Sequence, residues 1–473
     1  MRRREFVHAL GAATASFRQS APTAKPNIVF ILADDLGWSD LGCYGADLHE
    51  TPNLDRLARQ GVRFSHAYSA SPVCSPTRAS IHTGKCPARL QMTIWRESAR
   101  TPPLKSRLIP PMVEENLPLS EITLAKVLRN EGYMTAHVGK WHLGNAEHYP
   151  EAHGFDINIG GTVWGAPQTY FYPYSGDKLF GGEYRYIPGM AAGKPGEYLT
   201  DRLTSEAIRV VESAGDRPFF LNLCYHSVHT PIEGKPALVE RFRGKRKPGL
   251  RHQNPGYAAM VSSLDENVGR LMAMLDQRRL SANTIVVFAS DNGGFIGQHQ
   301  GETVTDNYPL RSGKGALYEG GIRIPLIIRS PGLAAPGRVS SQRVCSTDFY
   351  PTLLEAAGVP ASARRNAPLD GISLARLLSD PAARLPREDL FFHYPHYYPT
   401  TAPVSAMISR GWKLIEQLET GKVELYNLDQ DPGENTDLAP AMADLAGQLR
   451  TRLHAWRAEV RAPMPATNPH FPQ

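Results

Sequence analysis

Three carboxylates and one side-chain amide follow two apolar segments of this chain. Asp34 and Asp35 come directly after the apolar run at 27–33, and Asp291 and Asn292 follow the run at 284–290. In open α/β sheets, ligands bind beyond the carboxyl ends of the strands, so we expect these four groups to lie close together. Hard oxygen ligands of this kind suit Ca²⁺ or Mg²⁺. Considered alone, each pair also fits a polar strand end or an ordinary turn.

Basic and titratable side chains follow two further apolar segments. Lys140 and His142 come after 133–138, and His226 and His229 come after 218–225. Residues two apart in an extended loop can face the same side, so Lys140 and His142 can both face the carboxylates. Cationic groups beside a metal indicate an anionic ligand, and histidine is the usual proton carrier near neutral pH. For His226, a structural role is the favoured interpretation.

Cys74 and Arg78 lie four residues apart in a segment that we expect to be a loop. A neighbouring arginine can lower the pKa of a thiol and make it reactive. A buried, inert cysteine is the alternative, and the residue types alone do not decide between the two. The remaining cysteines have no paired spacing, so the sequence excludes neither one disulfide nor none among Cys43, Cys86, Cys224 and Cys345.

Alternating strand-like and helix-like segments from Lys25 to about residue 360 predict an α/β fold with a large, mostly parallel sheet flanked by helices. The predicted strands are 27–33, 133–138, 218–225 and 284–290, and the predicted helices are 52–60, with Thr51 as N-cap, 119–130, 198–213 and 257–277. Beyond an aperiodic region at 361–388, short antiparallel strands are predicted within 389–394, 405–416 and 422–428, followed by a helix at 438–460. We therefore predict a catalytic domain at 25–365 and a small α+β subdomain at 366–473.

Composition limits the classes of partner. The chain has 473 residues, 41% of them hydrophobic, and no apolar run approaches the roughly 18 residues of a membrane span, so we expect a soluble protein. The net charge is only +6, and the one basic tract, at 241–247, is short, which argues against nucleic-acid binding. Residues 1–24 contain Arg3-Arg4-x-Phe6-Val7 before an apolar stretch, which predicts a twin-arginine-like export signal and a bacterial periplasmic location. A frayed basic terminus is the alternative.

Several motifs resemble those of the sulfatase family. Cys74-x-Pro76-x-Arg78 followed by Thr83-Gly84 resembles the signature in which the cysteine is oxidised to formylglycine, and 132–142 resembles the second family signature. The order of Asp34-Asp35, His229-Thr230-Pro231, Asp291-Asn292-Gly293-Gly294, Gly313-Lys314-Gly315 and Glu319-Gly320-Gly321 also matches. The resemblance extends from about residue 26 to the segments at 426–428 and 431–432. His82 departs from it, because an apolar residue is usual before Thr-Gly.

The resemblance implies an alkaline phosphatase-like fold, a set of site residues and a helix after the signature whose N-terminus faces the site. Asp34, Asp35, Asp291 and Asn292 would bind calcium, with magnesium as second choice, together with an oxygen of Cys74 after a maturation enzyme has converted it to formylglycine. A hydroxyl of the hydrated aldehyde would attack sulfur. Lys140 and Lys314 would hold the sulfate, His229 would protonate the leaving alcohol, His142 would accept the proton of the second hydroxyl, and Arg78 would orient the formylglycine.

The predicted function is sulfate monoester hydrolysis, with a sulfated carbohydrate as the expected substrate. Aromatic residues at 170–174, 184–186 and 391–398 could form a stacking platform for sugar rings. The alternatives are a phosphate or phosphonate monoester hydrolase of the same superfamily and a catalytically silent protein that binds sulfated glycans. A cysteine-nucleophile enzyme is less favoured, because Cys74 would lie beside three carboxylates rather than a base.

Overall fold

The computed structural model describes residues 25–100, 105–190, 192–331, 336–360 and 367–471. The predicted export signal at 1–24 and the predicted domain boundary at 365/366 lie outside the described residues. Both therefore stay predictions. Within the described ranges, no helix combines the length and the apolar character needed to cross a membrane.

A mostly parallel sheet forms the centre of the molecule. Numbered in chain order and given in spatial order, its strands are Arg338–Ser340 (β11), Val62–Tyr68 (β2), Arg323–Arg329 (β10), Thr284–Ser290 (β7), Asn27–Ala33 (β1), Phe219–Cys224 (β6), Met134–Gly139 (β4) and Ile157–Ile159 (β5), with Val344–Cys345 (β12) also paired to β2. The four strands predicted from apolar runs, β7, β1, β6 and β4, lie side by side and run parallel. The predicted α/β class with a mostly parallel sheet is confirmed.

Five strands of the central sheet were not among those predicted, namely β2, β5, β10, β11 and β12. β10 runs antiparallel to both β2 and β7, and its pairing with β2 shifts register between Ile324 and Leu326. Pro325 lies at that shift, where the strand pairing does not require a hydrogen bond from its backbone nitrogen, so a proline is tolerated there. A central proline is a poor sequence signal for a strand, and β2 has polar residues at its three half-buried positions, Arg63, Ser65 and His66. These features explain why the sequence pattern did not identify β10 and β2 as strands.

Helices cover both faces of the central sheet. The α-helices of the described ranges are Pro52–Gln60 (α1), Cys74–Thr83 (α2), Arg96–Arg100 (α3), Leu124–Asn130 (α4), Leu199–Ser213 (α5), Pro236–Arg243 (α6), Pro255–Gln277 (α7), Glu319–Ile322 (α8), Phe349–Ala356 (α9), Ala375–Ser379 (α10) and Ala443–Glu459 (α11). Alternate residues of β1 divide between two cores: Val29 and Ile31 pack with α1, α5 and α7, whereas Ile28 and Phe30 pack with α2, α4 and α9. This division explains the continuous apolar run, because both faces of β1 are covered.

Helix starts and caps differ from the predictions at several places, although α1 spans the predicted 52–60. α7 begins two residues before the predicted 257, and α11 begins five residues after the predicted 438. The helix predicted at 119–130 begins at Leu124, because the Thr123 side chain accepts the Lys126 N–H and caps the first turn. Thr51 occupies the predicted N-cap of α1, but its hydroxyl accepts the Gly42 N–H instead of a helix N–H. The predicted loop at Cys74 is wrong, since α2 begins at Cys74 itself.

A separate antiparallel sheet follows the central one, as predicted. Its strands are Asp389–Tyr394 (β13), Val404–Ser409 (β14), Trp412–Gln417 (β15) and Val423–Asn427 (β16), and α11 packs on it. Two small pairs, Leu108–Ile109 (β3) with Ala466–Thr467 (β17) and Gln298–His299 (β8) with Glu302–Thr303 (β9), lie apart from both sheets. Lys413 of β15 is fully buried 3.0 Å from Glu319 and 2.8 Å from Glu434, so a buried charge network joins this sheet to α8.

Candidate active site

Four neighbouring strand ends meet at one edge of the central sheet. β1 lies between β6 and β7, and β4 lies next to β6. The residues that follow these strands are therefore adjacent in space: Asp34 and Asp35 after β1, Asp291 and Asn292 after β7, Lys140 and His142 after β4, and His226 and His229 after β6. The expectation that the strand ends converge agrees with this topology.

The carboxylates form a buried cluster with Asn292. Asp291 Oδ1 accepts the backbone N–H of Asp35 at 3.2 Å, and Asn292 Nδ2 donates to Asp35 Oδ1 at 2.8 Å. Asp34 Oδ1 and Asn292 Oδ1 are buried and accept no hydrogen bond from the residues that the structure describes. Burial raises the pKa of Asp34 above its ordinary value, although Lys140 opposes this effect. Buried oxygens without donors, beside like charges, are suited to a hard cation.

Cys74 opens α2 and faces the carboxylate cluster. Its sulfur lies within 4.8 Å of ligand atoms of Asp34, Asp35 and His229. The side chain is 3% exposed, and burial raises the pKa of its thiol to about 11 although Lys140 and Lys314 lower it. The hypothesis of a thiol with lowered pKa is therefore wrong. The position at the start of a helix agrees with the expectation that a helix N-terminus faces the site.

Arg78 lies one helical turn after Cys74 and links three elements. Its Nε donates to Asp291 Oδ2 at 2.9 Å, and its NH1 donates to the backbone carbonyl of Lys140 at 2.9 Å. Residues four apart lie on the same face of a helix, so α2 presents Cys74 and Arg78 to the strand ends together. The arginine is 2% exposed, and its NH2 lies 2.8 Å from Asp291 Oδ2 in an ion pair.

Two lysines approach the cluster from opposite elements. Lys140 Nζ donates to Asp34 Oδ2 at 2.6 Å, and Lys314 Nζ donates to Asp35 Oδ2 at 2.8 Å. Burial would raise the pKa of Asp35, but Lys314 and His229 beside it hold that pKa well below its usual range. An ammonium group has three donors, so each lysine can contact a carboxylate and an anionic ligand at once.

Glycines allow the Lys314 segment to lie against the end of β7. A Cβ on Gly293 would lie 1.9 Å from the carbonyl oxygen of Gly320, and one on Gly315 would lie 2.0 Å from the ring of Tyr398. The Lys314 N–H donates to the Gly294 carbonyl at 3.1 Å. Backbone therefore packs on backbone here, which is the physical reason for the glycine-rich motifs around Asp291 and Lys314.

His229 is fixed in one tautomer. Its Nδ1 lies 2.8 Å from the carbonyl of Thr230 and acts as donor there, so Nε2 has the lone pair. That Nε2 lies 3.1 Å from Lys314 Nζ and 3.5 Å from Asp35 Oδ2. Burial, with a smaller contribution from Lys314, lowers the pKa of His229 to about 3. Lys314 and His229 thus form a pair in which the ammonium is the donor.

Tyr170 supports the segment after β6, a role that the sequence did not indicate. Its hydroxyl donates to the carbonyls of His226 and His229, at 2.5 and 2.8 Å. Tyr170 and Tyr174 are buried in the core and cannot form the suggested sugar platform, whereas Phe171 and Tyr172 between them are half-buried. The His226 side chain is buried too, and neither of its ring nitrogens has a hydrogen-bond partner among the described residues.

His82 and the cysteines away from the site have structural positions. The His82 ring is 5.0 Å from that of Trp141 and 5.8 Å from that of Phe155, and burial lowers its pKa well below the usual value. The departure from the family pattern therefore alters an aromatic cluster under α2 rather than the strand ends. All five cysteines lie within the described ranges and are free, so none forms a disulfide.

An apolar cavity lies beside the Lys314 segment. It has a volume of about 450 Å³ and is lined by Ile94, Pro110, Met112, His396, Tyr398 and their neighbours. Tyr398 packs on Gly315, and its ring lies 6.0 Å from that of Trp95 at a right-angled geometry. Tyr184 and Tyr186 are 60% and 47% exposed. Tyr184 and Tyr186 thus have exposed aromatic surface and Tyr397 and Tyr398 are half-buried, whereas Phe392, His393, Tyr394 and His396 are buried.

Comparison with known proteins extends these observations. The family model for sulfatases matches residues 26–359, and a model described as N-sulphoglucosamine sulphohydrolase, C-terminal, matches residues 312–459. A sulfatase of Formosa agariphila is 32% identical over 504 residues, which cover 93% of this chain and 90% of that protein. Human N-acetylgalactosamine-6-sulfatase is 32% identical over 391 residues, which cover 79% of this chain and 69% of that protein.

Solved structures give the same result. The crystal structure of Ps i-CgsB in complex with k-i-k-neocarrahexaose superposes with a TM-score of 0.76 at 28% identity and covers 94% of each chain. A phosphonate monoester hydrolase of Agrobacterium radiobacter superposes with a TM-score of 0.66 at 20% identity, covering 92% of this chain and 96% of its own, and shares the fold alone. With a family model that matches most of its length, this chain belongs to the sulfatase family of sulfate ester hydrolases.

Proposed function

We propose that this sulfatase removes sulfate from sulfated carbohydrates at the strand ends around Cys74. One observation supports the proposal most directly. Three buried carboxylates, two lysines and two histidines converge on the first turn of α2, with Asp34 Oδ1 and Asn292 Oδ1 free of hydrogen bonds among the described residues. Such a site can bind a cation and an anionic ester side by side.

Asp34, Asp35, Asp291 and Asn292 would hold one divalent cation. Calcium is favoured and magnesium is second, because every donor in the set is a hard oxygen. The two buried oxygens without donors fit this assignment. When bound, the cation supplies Lewis acidity and positive charge close to Cys74.

Cys74 would be converted to formylglycine by a maturation enzyme. The motif around it supports this, and so does the raised pKa of the unmodified thiol, which makes that thiol a poor nucleophile at neutral pH. Hydrated formylglycine supplies a hydroxyl nucleophile for sulfur and an oxygen ligand for the cation. Arg78, whose guanidinium holds Asp291, would keep this first turn of α2 against the carboxylates.

The lysines and histidines would bind the ester and move protons. Lys140 and Lys314 have donors to spare for sulfate oxygens and would neutralise the charge that develops there. His229 would pass to the leaving alcohol a proton that its Nε2 receives from the Lys314 ammonium, 3.1 Å away. His142 would act as a base in the step that releases sulfate, since it lies after the neighbouring strand β4.

A sulfated sugar is the favoured substrate class. Human N-acetylgalactosamine-6-sulfatase and the oligosaccharide complex of Ps i-CgsB are both similar to this chain. The rim formed by Trp95 and Tyr398 offers aromatic surface on which a sugar ring can stack. Export to the bacterial periplasm through residues 1–24 is part of the proposal, because polysaccharide substrates lie outside the cytoplasm.

The decisive experiment is a substrate screen with the purified, matured enzyme. Desalted sulfated mono- and disaccharides, 4-nitrophenyl sulfate and 4-nitrophenyl phosphate are incubated with the wild type and with Cys74→Ala, and free sulfate or phosphate is measured. Cys43→Ala is the matched control, because Cys43 is another free cysteine in a different part of the structure. We expect sulfate release from at least one sugar, abolished by Cys74→Ala alone.

Each alternative has its own outcome in this screen. Phosphate release that exceeds sulfate release would favour the phosphate or phosphonate ester hydrolase, whose fold this chain shares. Tight binding of sulfated glycans without release of sulfate, by protein in which Cys74 is fully converted, would favour a silent binding protein. Either result would contradict the proposed reaction.

A further inference from the structure

The backbone of His142 is held in an uncommon conformation. Its φ of 59° lies in the left-handed region, which non-glycine residues rarely occupy. Its N–H donates to the carbonyl of Thr162 at 3.0 Å, and its carbonyl accepts the Ser75 hydroxyl at 2.7 Å. Ser75 directly follows Cys74, so the position of His142 is fixed relative to the first turn of α2.

The imidazole of His142 is held as well. A Cβ on Gly165 would lie 2.3 Å from Cε1 of the ring, so the Gly165 backbone packs directly against it. Glu97 of α3 places Oε2 3.5 Å from Nε2 of His142, and that carboxylate oxygen is buried. Nδ1 of His142 is buried and has no hydrogen-bond partner among the described residues.

We propose that Glu97 is a positioning residue for His142. A carboxylate at Nε2 favours the tautomer with the proton on that nitrogen, which leaves the lone pair on Nδ1. The same carboxylate stabilises the imidazolium that forms when Nδ1 accepts a proton. The separation of 3.5 Å is long for a hydrogen bond, but such contacts often tighten only when substrate is bound. This inference rests on the proposed role of His142 as a base.

The charges around the pair agree with an ionised Glu97. Burial would raise the pKa of Glu97, but the contact with His142, and to a smaller extent Arg185, lowers it to about 2. Burial lowers the pKa of His142 to about 4, and the positive charges of Lys140 and Arg78 also disfavour its protonated form. Glu97 therefore supplies the negative charge that offsets these two cations.

A second carboxylate, that of Glu115, also contacts α3. Glu115 lies 3.4 Å from Arg96 and 3.2 Å from Arg100, at both ends of the same short helix. Glu115→Gln is therefore a matched control, since it removes one carboxylate beside α3 without touching His142. If kcat falls with Glu97→Gln but not with Glu115→Gln, the loss is due to the position of the imidazole and not to the anchoring of the helix.

The test compares Glu97→Gln, Glu97→Asp, Glu115→Gln and His142→Ala on 4-nitrophenyl sulfate. For Glu97→Gln we expect kcat to fall by ~10–100-fold, as for other residues that orient a histidine, with KM changed less than about threefold. The acidic limb of the kcat profile should move to lower pH, because loss of the carboxylate lowers the pKa of His142. Glu97→Asp should recover part of the activity, and Glu115→Gln should match the wild type.

The double variant distinguishes the possible failures. In a His142→Ala background, Glu97→Gln should cause no further loss, since its effect acts through the missing imidazole. An equal further loss, or an unmoved acidic limb, would overturn the inference about Glu97. If His142→Ala itself left kcat unchanged, the proposed base would fail instead, and the two results are separable.

Discussion

His229→Ala tests the proton donor that the structure favours. The imidazole Nε2 lies 3.1 Å from Lys314 Nζ, while Lys314 also holds Asp35 at 2.8 Å. Removal of the ring should therefore leave the ammonium in place and abolish mainly the proton path to the leaving oxygen. General acid catalysis is typically worth ~10²–10⁴-fold, which corresponds to about 3–5 kcal/mol of transition-state stabilisation.

The loss should depend on the leaving group. A sugar alkoxide is a poor leaving group and needs a proton in the transition state, so the variant should lose the full factor on a sulfated sugar. A nitrophenolate leaves without help, and its rate should fall by less than about tenfold. His142→Ala should differ, because a defect in sulfate release affects both substrates alike.

The assay measures kcat/KM, which reports expulsion of the alcohol, and kcat, which also reports sulfate release, on 4-nitrophenyl sulfate and on one sulfated monosaccharide. His454→Ala is a suitable control, since this half-exposed histidine contacts Glu416 on the antiparallel sheet. Equal losses on both substrates for His229→Ala would refute the reasoning. Lys314, the donor in the pair, would then be the better candidate for the acid.

Three further predictions follow from burial and charge. Asp291→Ala should remove both the bound calcium and the activity, and stoichiometric zinc in active wild type, measured by elemental analysis, would contradict the ligand assignment. Peptide mass spectrometry of active protein should find an aldehyde in place of the Cys74 thiol, and active protein with only unmodified cysteine would exclude the modification. Burial lowers the pKa values of His137 and His396 to about 3, so only the unfolded chain gains these protons as the pH falls below about 6.5. Protonation of each histidine in the unfolded chain should therefore reduce the free energy of unfolding by about 1.4 kcal/mol at pH 5.5, measured by urea titration. His396→Gln should make the free energy of unfolding fall less steeply as the pH is lowered.

The parallel strands and their polar ends could be predicted because their signals are local. Both ends of the strand Thr284–Ser290 agree with the prediction, because the apolar run is continuous and Asp291 marks where it stops. The antiparallel β10 could not be predicted, because Pro325 interrupts its pattern and only its two neighbours make it a strand. Tyr170 appeared exposed in a glycine-rich region but is buried by contacts from distant segments.

The same distinction applies to the site. The resemblance supplied the residues around Cys74, because each lies in a short motif. Glu97 lies in no motif, and its relation to His142 arises only when α3 packs beside the end of β4. The pairing of His229 with Lys314 likewise joins residues 85 positions apart, so no spacing rule along the chain could have indicated it.

Burial of Cys74 also sets a time limit during synthesis. The folded chain leaves the residue 3% exposed beneath groups that are translated late, and Asp291 lies 213 residues after its partner Arg78. At ~5–20 residues per second, a ribosome needs roughly 10–40 s to cover that interval. The proposed maturation enzyme would therefore have an open segment within reach for tens of seconds, before closure of the sheet edge buries the thiol.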